Sequence, residues 1–242
     1  MKRLLPLLLA LPLSGCGLFG GGNGAQVIGA GDPNQRPATA IYIEDSEDDG
    51  YAWGSLLVDL DVDAQLIYAS DAVNWDVSGA AMLVITPEVD SFDEDVAQQL
   101  VGLGVPILGI GAGGIVFWNA AEVTELSYTV PSTSESVVIT DPEHPSLAAD
   151  RWGQDEVVTL TTSPVTAWGI NHQDPEVIAY DAEFGSQDFG LLLGLGHLWH
   201  FGVGDDGQGA DRLTDDGVEL IQSVMAWLVG VPGPEPGDIT GG

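Results

Sequence analysis

The sequence predicts an α/β fold with a mostly parallel central sheet and helices on both faces. Strand-like and helix-like segments alternate along the first half of the chain, and such alternation requires right-handed crossovers between parallel strands. In addition, residues 80–85 (AAMLVI) are apolar without interruption. A run of this kind is typical of a strand that is covered on both faces.

The predicted elements follow one another closely from residue 40 onward. Strands are predicted over 40–44, 64–68, 80–85, 105–110 and 191–201, and helices over 51–59 and 92–103. Asp93, Glu94 and Asp95 crowd the start of the second helix, where the helix dipole favours negative charge. A last amphipathic helix begins after Thr214 or Asp215, either of which is a natural N-cap, and runs to Trp227.

The N-terminus has the pattern of an export signal. A basic stretch, residues 1–3, precedes an apolar run, residues 4–13, that is too short and too interrupted by proline to span a bilayer. The run ends in Leu13-Ser14-Gly15-Cys16, which resembles the lipobox of bacterial lipoproteins. The resemblance implies removal of residues 1–15 and attachment of diacylglycerol to Cys16; the alternative is an ordinary signal peptide with an incidental cysteine.

Lipid attachment would anchor the protein in the bacterial cell envelope, in the outer rather than the inner membrane, without a membrane-spanning segment, because two or more acyl chains hold a protein stably. Cys16 is the only cysteine, so we expect no disulfide and no thiol for catalysis or metal binding. The Gly-rich residues 16–37 are predicted to be a flexible tether, residues 38–230 the folded domain, and residues 231–242 a Pro/Gly-rich tail.

The chain is strongly acidic, with 37 Asp and Glu against five Lys and Arg and a net charge of −32. Such a surface repels nucleic acids and anionic lipid head groups, so a nucleic acid is not expected as a partner. With 45% hydrophobic residues, the chain is nevertheless no disordered acidic tail. The simplest interpretation of the charge is a solvated surface that is adapted to salt or bathed in divalent cations, and not a dedicated site.

A glycine turn, residues 109–114 (GIGAGG), leaves the predicted strand 105–110. Ligands of open α/β sheets bind at the carboxyl ends of strands, where glycine lets backbone amides approach an anion. A dinucleotide-binding fingerprint would instead follow the first strand, and the chain has no Gly-Lys-Ser/Thr phosphate loop. The turn therefore predicts a ligand cleft but does not favour nucleotide binding.

Residues 105–113 resemble the nucleophile elbow, Gly-x-Cys-x-Gly, of the class I glutamine amidotransferase-like superfamily, which has a flavodoxin-like fold. Residues 76–87 are similar to the strand before that elbow, and residues 210–220 are similar to the closing Leu-Thr-x-x-Gly helix of trehalose-utilisation-type members. The resemblance extends over about residues 38–230. It places the nucleophile at Gly111, which has no side chain.

A second departure concerns the general base, which in the family is a histidine followed by Pro-Glu. Neither His197 nor His200 is followed by Pro-Glu. Acyl transfer needs a nucleophile with an adjacent base, so amidotransferase, glutaminase and thiol protease activities are not expected, and no catalytic residue is assigned. The residues predicted to line a ligand cleft, with Trp118, Trp168 and Trp199 nearby, are Gly111, Ala112, Gly113, Glu44, Asp45, Glu88, His197 and His200.

Acidic clusters at residues 44–50 and 205–211 are candidates for Ca²⁺ binding, because Ca²⁺ takes six to eight hard oxygen ligands. Neither cluster has the spacing of an EF-hand loop. The candidate ligands are Asp45, Asp48, Asp205 and Asp211. His197 and His200, three apart on one predicted strand, would point to opposite faces and not share a metal.

Two functions stay open at this point. One is a lipid-anchored, non-catalytic binding or structural module for a small molecule, a glycan or a protein. The other is a metal- or carboxylate-dependent hydrolase or sugar-processing enzyme that draws on Glu44, Asp45 and Glu88. The second predicts carboxyl groups with coupled pKa values or a bound divalent ion.

Overall fold

The computed structural model describes residues 27–28, 37–123, 131–148, 150–170, 176–183, 189–205 and 209–234. Within these residues the strands are β1 Val27–Ile28, β2 Ala38–Ile43, β3 Asp63–Tyr68, β4 Met82–Ile85, β5 Ile107–Ile110, β6 Pro131–Ser134, β7 Ser136–Ile139, β8 Val157–Thr159, β9 Val165–Trp168, β10 Glu176–Asp181, β11 Gly190–Leu195 and β12 Leu198–Phe201. The α-helices are α1 Glu47–Val58, α2 Glu94–Gly102, α3 Gly111–Ala120 and α4 Asp215–Val229, and short 3-10 helices cover Ala69–Asn74 and Ala210–Arg212.

Ten of these strands form one sheet in the order β1-β3-β2-β4-β5-β12-β11-β10-β7-β8. Its central strands β3, β2, β4, β5 and β12 are parallel, whereas β1 and the four strands from β11 to β8 pair antiparallel. Strands β6 and β9 form a separate two-stranded sheet. The predicted fold class is confirmed, and the carboxyl ends of the five parallel strands share one edge.

The helices cover both faces of the sheet. Successive strand residues alternate between the two cores, so that Ile41 packs on one face with α1 and α4 while Tyr42 packs on the other with α2 and α3. At the centres of the two cores, Trp53 of α1 and Trp118 of α3 are almost completely buried.

Side chains cap two of the helices, and the cap of α4 is one of the two residues predicted for it. Asp93 caps α2 by accepting a hydrogen bond from the amide of Val96 at 3.0 Å. Thr214 caps α4 by accepting one from the amide of Gly217, also at 3.0 Å. Helix α4 ends at Gly230, whose left-handed backbone, with φ at 80°, is the usual helix stop.

The start of α1 differs from the predicted 51–59. The helix begins at Glu47, because Glu47, Asp48 and Asp49 occupy its first turn, where the dipole stabilises negative charge. The cluster that was interpreted as a candidate Ca²⁺ loop is therefore largely the start of a helix.

The predicted strand over 191–201 is wrong. The segment is a β-hairpin in which β11 pairs antiparallel with β12. The chain turns between them at Gly196, whose φ is +63°. Residues other than glycine rarely adopt this backbone conformation. As a result, His197 lies in the turn and only His200 lies on a strand.

The predicted signal peptide, Cys16, and the predicted tail beyond residue 234 lie outside the described residues. Residues 27–28, within the predicted tether, pair with β3 as β1. No helix among the residues that the structure describes is long and apolar enough to cross a membrane.

Candidate functional site

The glycine turn lies where β5 passes directly into α3, at the carboxyl edge of the parallel strands. Gly111 is the first residue of α3 and has φ at +52°. A sharp strand-to-helix turn with a left-handed residue is the backbone geometry of a nucleophile elbow. Gly111 therefore has the backbone of the position to which the resemblance assigns a nucleophile, and glycine adopts it without strain.

The space that a side chain at Gly111 would need is filled by the backbone of the segment after β12. A Cβ atom at Gly111 would lie 2.0 Å from the carbonyl oxygen of Gly204. That segment is held in place because the amide of Gly204 donates to the carbonyl of Thr166 at 3.0 Å and Val203 forms a bridge with Ala167. A nucleophile could not enter this position unless the backbone moved.

The amides of the turn already have acceptors within the chain. Ala112 donates to the carbonyl of Gly204 at 3.2 Å, and Gly113 donates to the carbonyl of Pro87 at 3.1 Å. A Cβ at Gly113 would lie 1.9 Å from the carbonyl oxygen of Thr86, so glycine is required there as well. An oxyanion hole needs donors aimed at an incoming oxygen, and these two donors are engaged.

His200 is buried between the sheet and α3, next to Trp118, with no exposed surface. Its Nε2 donates to the carbonyl of Trp168 at 2.7 Å. Burial lowers the pKa of His200 to about 4, although the carbonyls of Trp168 and Gly109 favour the protonated form. His200 is therefore a neutral core residue that solvent does not reach.

His197 lies at the opposite end of β5 from the glycine turn. Its carbonyl accepts from the amide of Ile107, the first residue of β5, and its Nε2 donates to the carbonyl of Val101 at 3.0 Å. The structure thus does not bring the two histidines together, and His197 is not near Gly111.

The three tryptophans expected around the turn do not lie together: Trp118 and Trp168 pack on the α2 and α3 face of the sheet, and Trp199 packs on the opposite face. There Trp199 contacts Trp227, with ring centroids 5.1 Å apart. Trp168 joins the two sheets through its backbone, since its amide donates to the carbonyl of Gly202 at 2.6 Å. These side chains stabilise the fold and do not line one cleft.

The carboxylates predicted near strand ends are brought together in part. Glu88 follows β4 and is 6% exposed, and its Oε1 accepts a hydrogen bond from the amide of Glu44 at 3.3 Å. Burial raises the pKa of Glu88 to about 8, and the neighbouring carboxylate of Asp49 adds to the shift. Burial, followed by repulsion from Asp90 and Asp45, also raises the pKa of Glu44.

Sequence reasoning missed Asp49, which it did not single out within the acidic run. Its Oδ1 lies 2.9 Å from where a Cβ of Gly209 would be, and its negative charge adds to the raised pKa of Glu88. The signal that could have found Asp49 is the start of α1 at Glu47, which places Asp49 in the first turn of that helix.

The candidate Ca²⁺ ligands do not converge. Asp45, Asp48 and Asp211 are exposed and Asp205 is half-buried. In the part of the chain that the structure covers, no three His, Asp or Glu side chains stand close enough to hold a metal ion. The proposed Ca²⁺ site thus gains no support from the geometry.

Comparison of the sequence with protein-family models and with curated proteins found no match. Solved structures do match. PurLQS from Thermotoga maritima has a TM-score of 0.53 at 10% identity over 80% of this chain and 100% of its own. A GMP synthase subunit a protein from Thermoplasma acidophilum has a TM-score of 0.50 at 12% identity over 81% and 96%.

A larger enzyme also contains this fold. The β-galactosidase from Bacillus circulans sp. alkalophilus has a TM-score of 0.54 at 10% identity, over 81% of this chain and 32% of the enzyme. Identities this low show a shared fold and nothing about chemistry. Over about four fifths of its length, the chain therefore shares the fold of class I glutamine amidotransferase-like proteins.

Proposed function

We propose that this protein is a lipid-anchored component of the bacterial cell envelope whose amidotransferase-like domain acts without catalysis, as a binding or structural module. The observation that carries the proposal is the state of Gly111: the position has no side chain, and the carbonyl oxygen of Gly204 fills the space that one would need. The engaged amides of Ala112 and Gly113 and the buried, neutral His200 support it further. For acyl transfer at this position, the nucleophile, the oxyanion donors and the base would all have to come from other groups.

A glutaminase assay tests the non-catalytic role. The purified mature protein is expected to release no more ammonia from glutamine than a buffer blank does. Turnover above that background in the wild-type protein, but not in a His200→Ala variant that is shown to be folded by circular dichroism, would contradict the proposal.

Lipid attachment predicts that Cys16 alone carries the acyl label. In a bacterial host fed with an alkyne analogue of palmitate, the wild-type chain should take up the label and fractionate with the outer membrane. Cys16→Ser should lose the label, because a hydroxyl does not replace the thiolate as nucleophile. Gly15→Ala, which keeps a small residue before the cysteine, is the control and should be labelled like the wild type; label on Cys16→Ser would overturn the assignment.

A second candidate function, carboxylate-dependent hydrolysis, is favoured by one observation. Glu88 is a carboxyl group with a pKa raised to about 8 at the carboxyl edge of the sheet, and an acid that keeps its proton near neutral pH suits proton donation. Hydrolysis of a panel of aryl glycosides that is lost in Glu88→Gln and kept in Glu94→Gln, which removes an exposed acid, would favour this function. Equal rates in both variants would eliminate it.

A further inference from the structure

A cleft lies at the carboxyl edge of the sheet, and its lining includes no residue of the glycine turn. It separates the 3-10 helix that follows β3 from the start of α2, which follows β4, and its volume is about 660 Å³. Since β2 lies between β3 and β4, the cleft spans the end of β2. Helices α1 and α2, which follow β2 and β4, pack on opposite faces of the sheet. Ligands of open α/β sheets bind where the connections change face in this way.

One wall of the cleft is apolar and held in place. Phe92, Val73 and Val96 line it, and the exposed fraction of Val73 is 69%. The ring of Phe92 packs edge-on against the rings of Tyr42 and Phe117, with centroids 5.5 and 5.1 Å away. A wall that is already ordered costs a ligand little on binding, and covering exposed apolar surface is favourable.

The hydroxyl of Tyr42 lies behind this wall. Tyr42 is fully buried, and in the part of the chain that the structure describes its hydroxyl has no hydrogen-bond partner. A buried hydroxyl without a partner is costly, and native structures rarely leave one. Because Phe92 lines the cleft and packs on Tyr42, it separates the cleft from a polar group whose hydrogen bonds are unmet.

The rim of the cleft is negatively charged. Asp93 and Asp95 line it, and of the described residues around the cleft none is Lys, Arg or His. Together with Glu94, these carboxylates outweigh the roughly half positive charge that the dipole places at the start of α2. Asp93 also accepts a hydrogen bond from the amide of Val96, which leaves this helix end less to offer an anion. The rim therefore attracts cations, as the net charge of −32 does at longer range.

We propose that this cleft binds a small organic cation, with its ammonium group at Asp93 and Asp95 and its apolar body against Val73 and Phe92. The volume is that of a small-molecule site, in which apolar walls carry a few polar groups. The apolar contact supplies most of the affinity, because exposed carboxylates gain little from an ion pair in water. The two carboxylates determine which charge the ligand carries.

The cation site deepens the binding role proposed above and rests on it. The two are tested separately, since the glutaminase assay measures catalysis and probe binding measures occupation of the cleft. A protein that releases no ammonia and binds no cation at the cleft would overturn the cation site and leave the non-catalytic role intact.

Three probes with the same body and different head groups test the ligand class: phenethylammonium, phenethyl alcohol and phenylpropionate. In NMR titrations of the nitrogen-15-labelled mature protein, phenethylammonium should bind about threefold or more tightly than the alcohol, and phenylpropionate should bind more weakly than either. Ethylammonium, which lacks the apolar body, should bind about tenfold or more weakly than phenethylammonium. The shifted amides should cluster at residues 69–73 and 91–99. Equal affinities for ammonium and alcohol, or shifts spread over the acidic surface, would overturn the proposal.

Variants with matched controls locate the site. Val73→Lys places a competing ammonium in the cleft and should weaken phenethylammonium binding about tenfold or more. Val157→Lys adds the same charge at another exposed valine, on β8, and should change the affinity less than about twofold. Asp95→Asn should weaken binding about two- to fivefold, whereas Asp59→Asn, at an exposed acid after α1, should not. Equal losses in the two lysine variants would show that the probe responds only to overall charge, which would overturn the proposal.

Discussion

Alanine at Gly111 is expected to destabilise the domain by about 3 kcal/mol or more. The left-handed backbone at this position costs a residue with a Cβ about 1–2 kcal/mol, and overpacking adds about 1–3 kcal/mol. The second contribution should be at the upper end, because the atom that a Cβ would meet at 2.0 Å is the backbone carbonyl oxygen of Gly204 and not a side chain that can rotate away. Urea denaturation followed by tryptophan fluorescence measures the loss.

Gly102→Ala is the matched control for Gly111→Ala. Gly102 is the last residue of α2, and a Cβ there would meet nothing within 4 Å. The change should leave the free energy of unfolding the same or raise it slightly, since alanine favours the helix over glycine. Equal effects of the two substitutions would mean that Gly204 does not occupy the space in front of Gly111.

The same geometry applies to Gly111→Cys, the change that would restore the missing thiol. The thiol would bring no glutaminase activity, because the side chain has no room and the amides of Ala112 and Gly113 stay bonded to carbonyls. Ammonia release in the folded variant above that of Gly102→Cys would contradict this expectation.

The parallel half of the sheet could be predicted because its strands are buried on both faces. Such strands are continuous apolar runs in the sequence, as residues 80–85 are. The antiparallel half lacks this signal. Strand β8 is only three residues long and exposes Val157 and Thr159 on either side of Val158. The hairpin of β11 and β12 was predicted as one long strand because both of its strands are apolar. Only Gly196 indicates the turn between them.

The site was predictable only as far as local sequence determines it. The glycine run placed Gly111 at a strand-to-helix turn, but Gly204, distant along the chain, determines what fills the position. Every residue has a backbone carbonyl, so residue types do not indicate which carbonyl will fill a site.

The second large effect is expected at Arg151, which ties the segment before β8 to helix α4. Its Nε donates to Glu219 at 2.9 Å and its second guanidinium nitrogen donates to Asp216 at 2.6 Å, while the guanidinium lies 4.0 Å from the ring centre of Trp152. The side chain of Glu219 is 6% exposed. Arg151→Met should cost about 2–4 kcal/mol, because it leaves a buried carboxylate without its partner.

Two further variants separate that cause from a general effect of charge. Arg212→Met removes the same charge from an exposed position and should change the free energy of unfolding by less than about 0.5 kcal/mol. Adding Glu219→Gln to Arg151→Met removes the unpaired charge and should recover part of the loss, since a neutral amide costs less to bury than a carboxylate. If Arg212→Met destabilises the domain as much as Arg151→Met, the loss reflects repulsion within an acidic chain, and the ion pair with Glu219 is not its source.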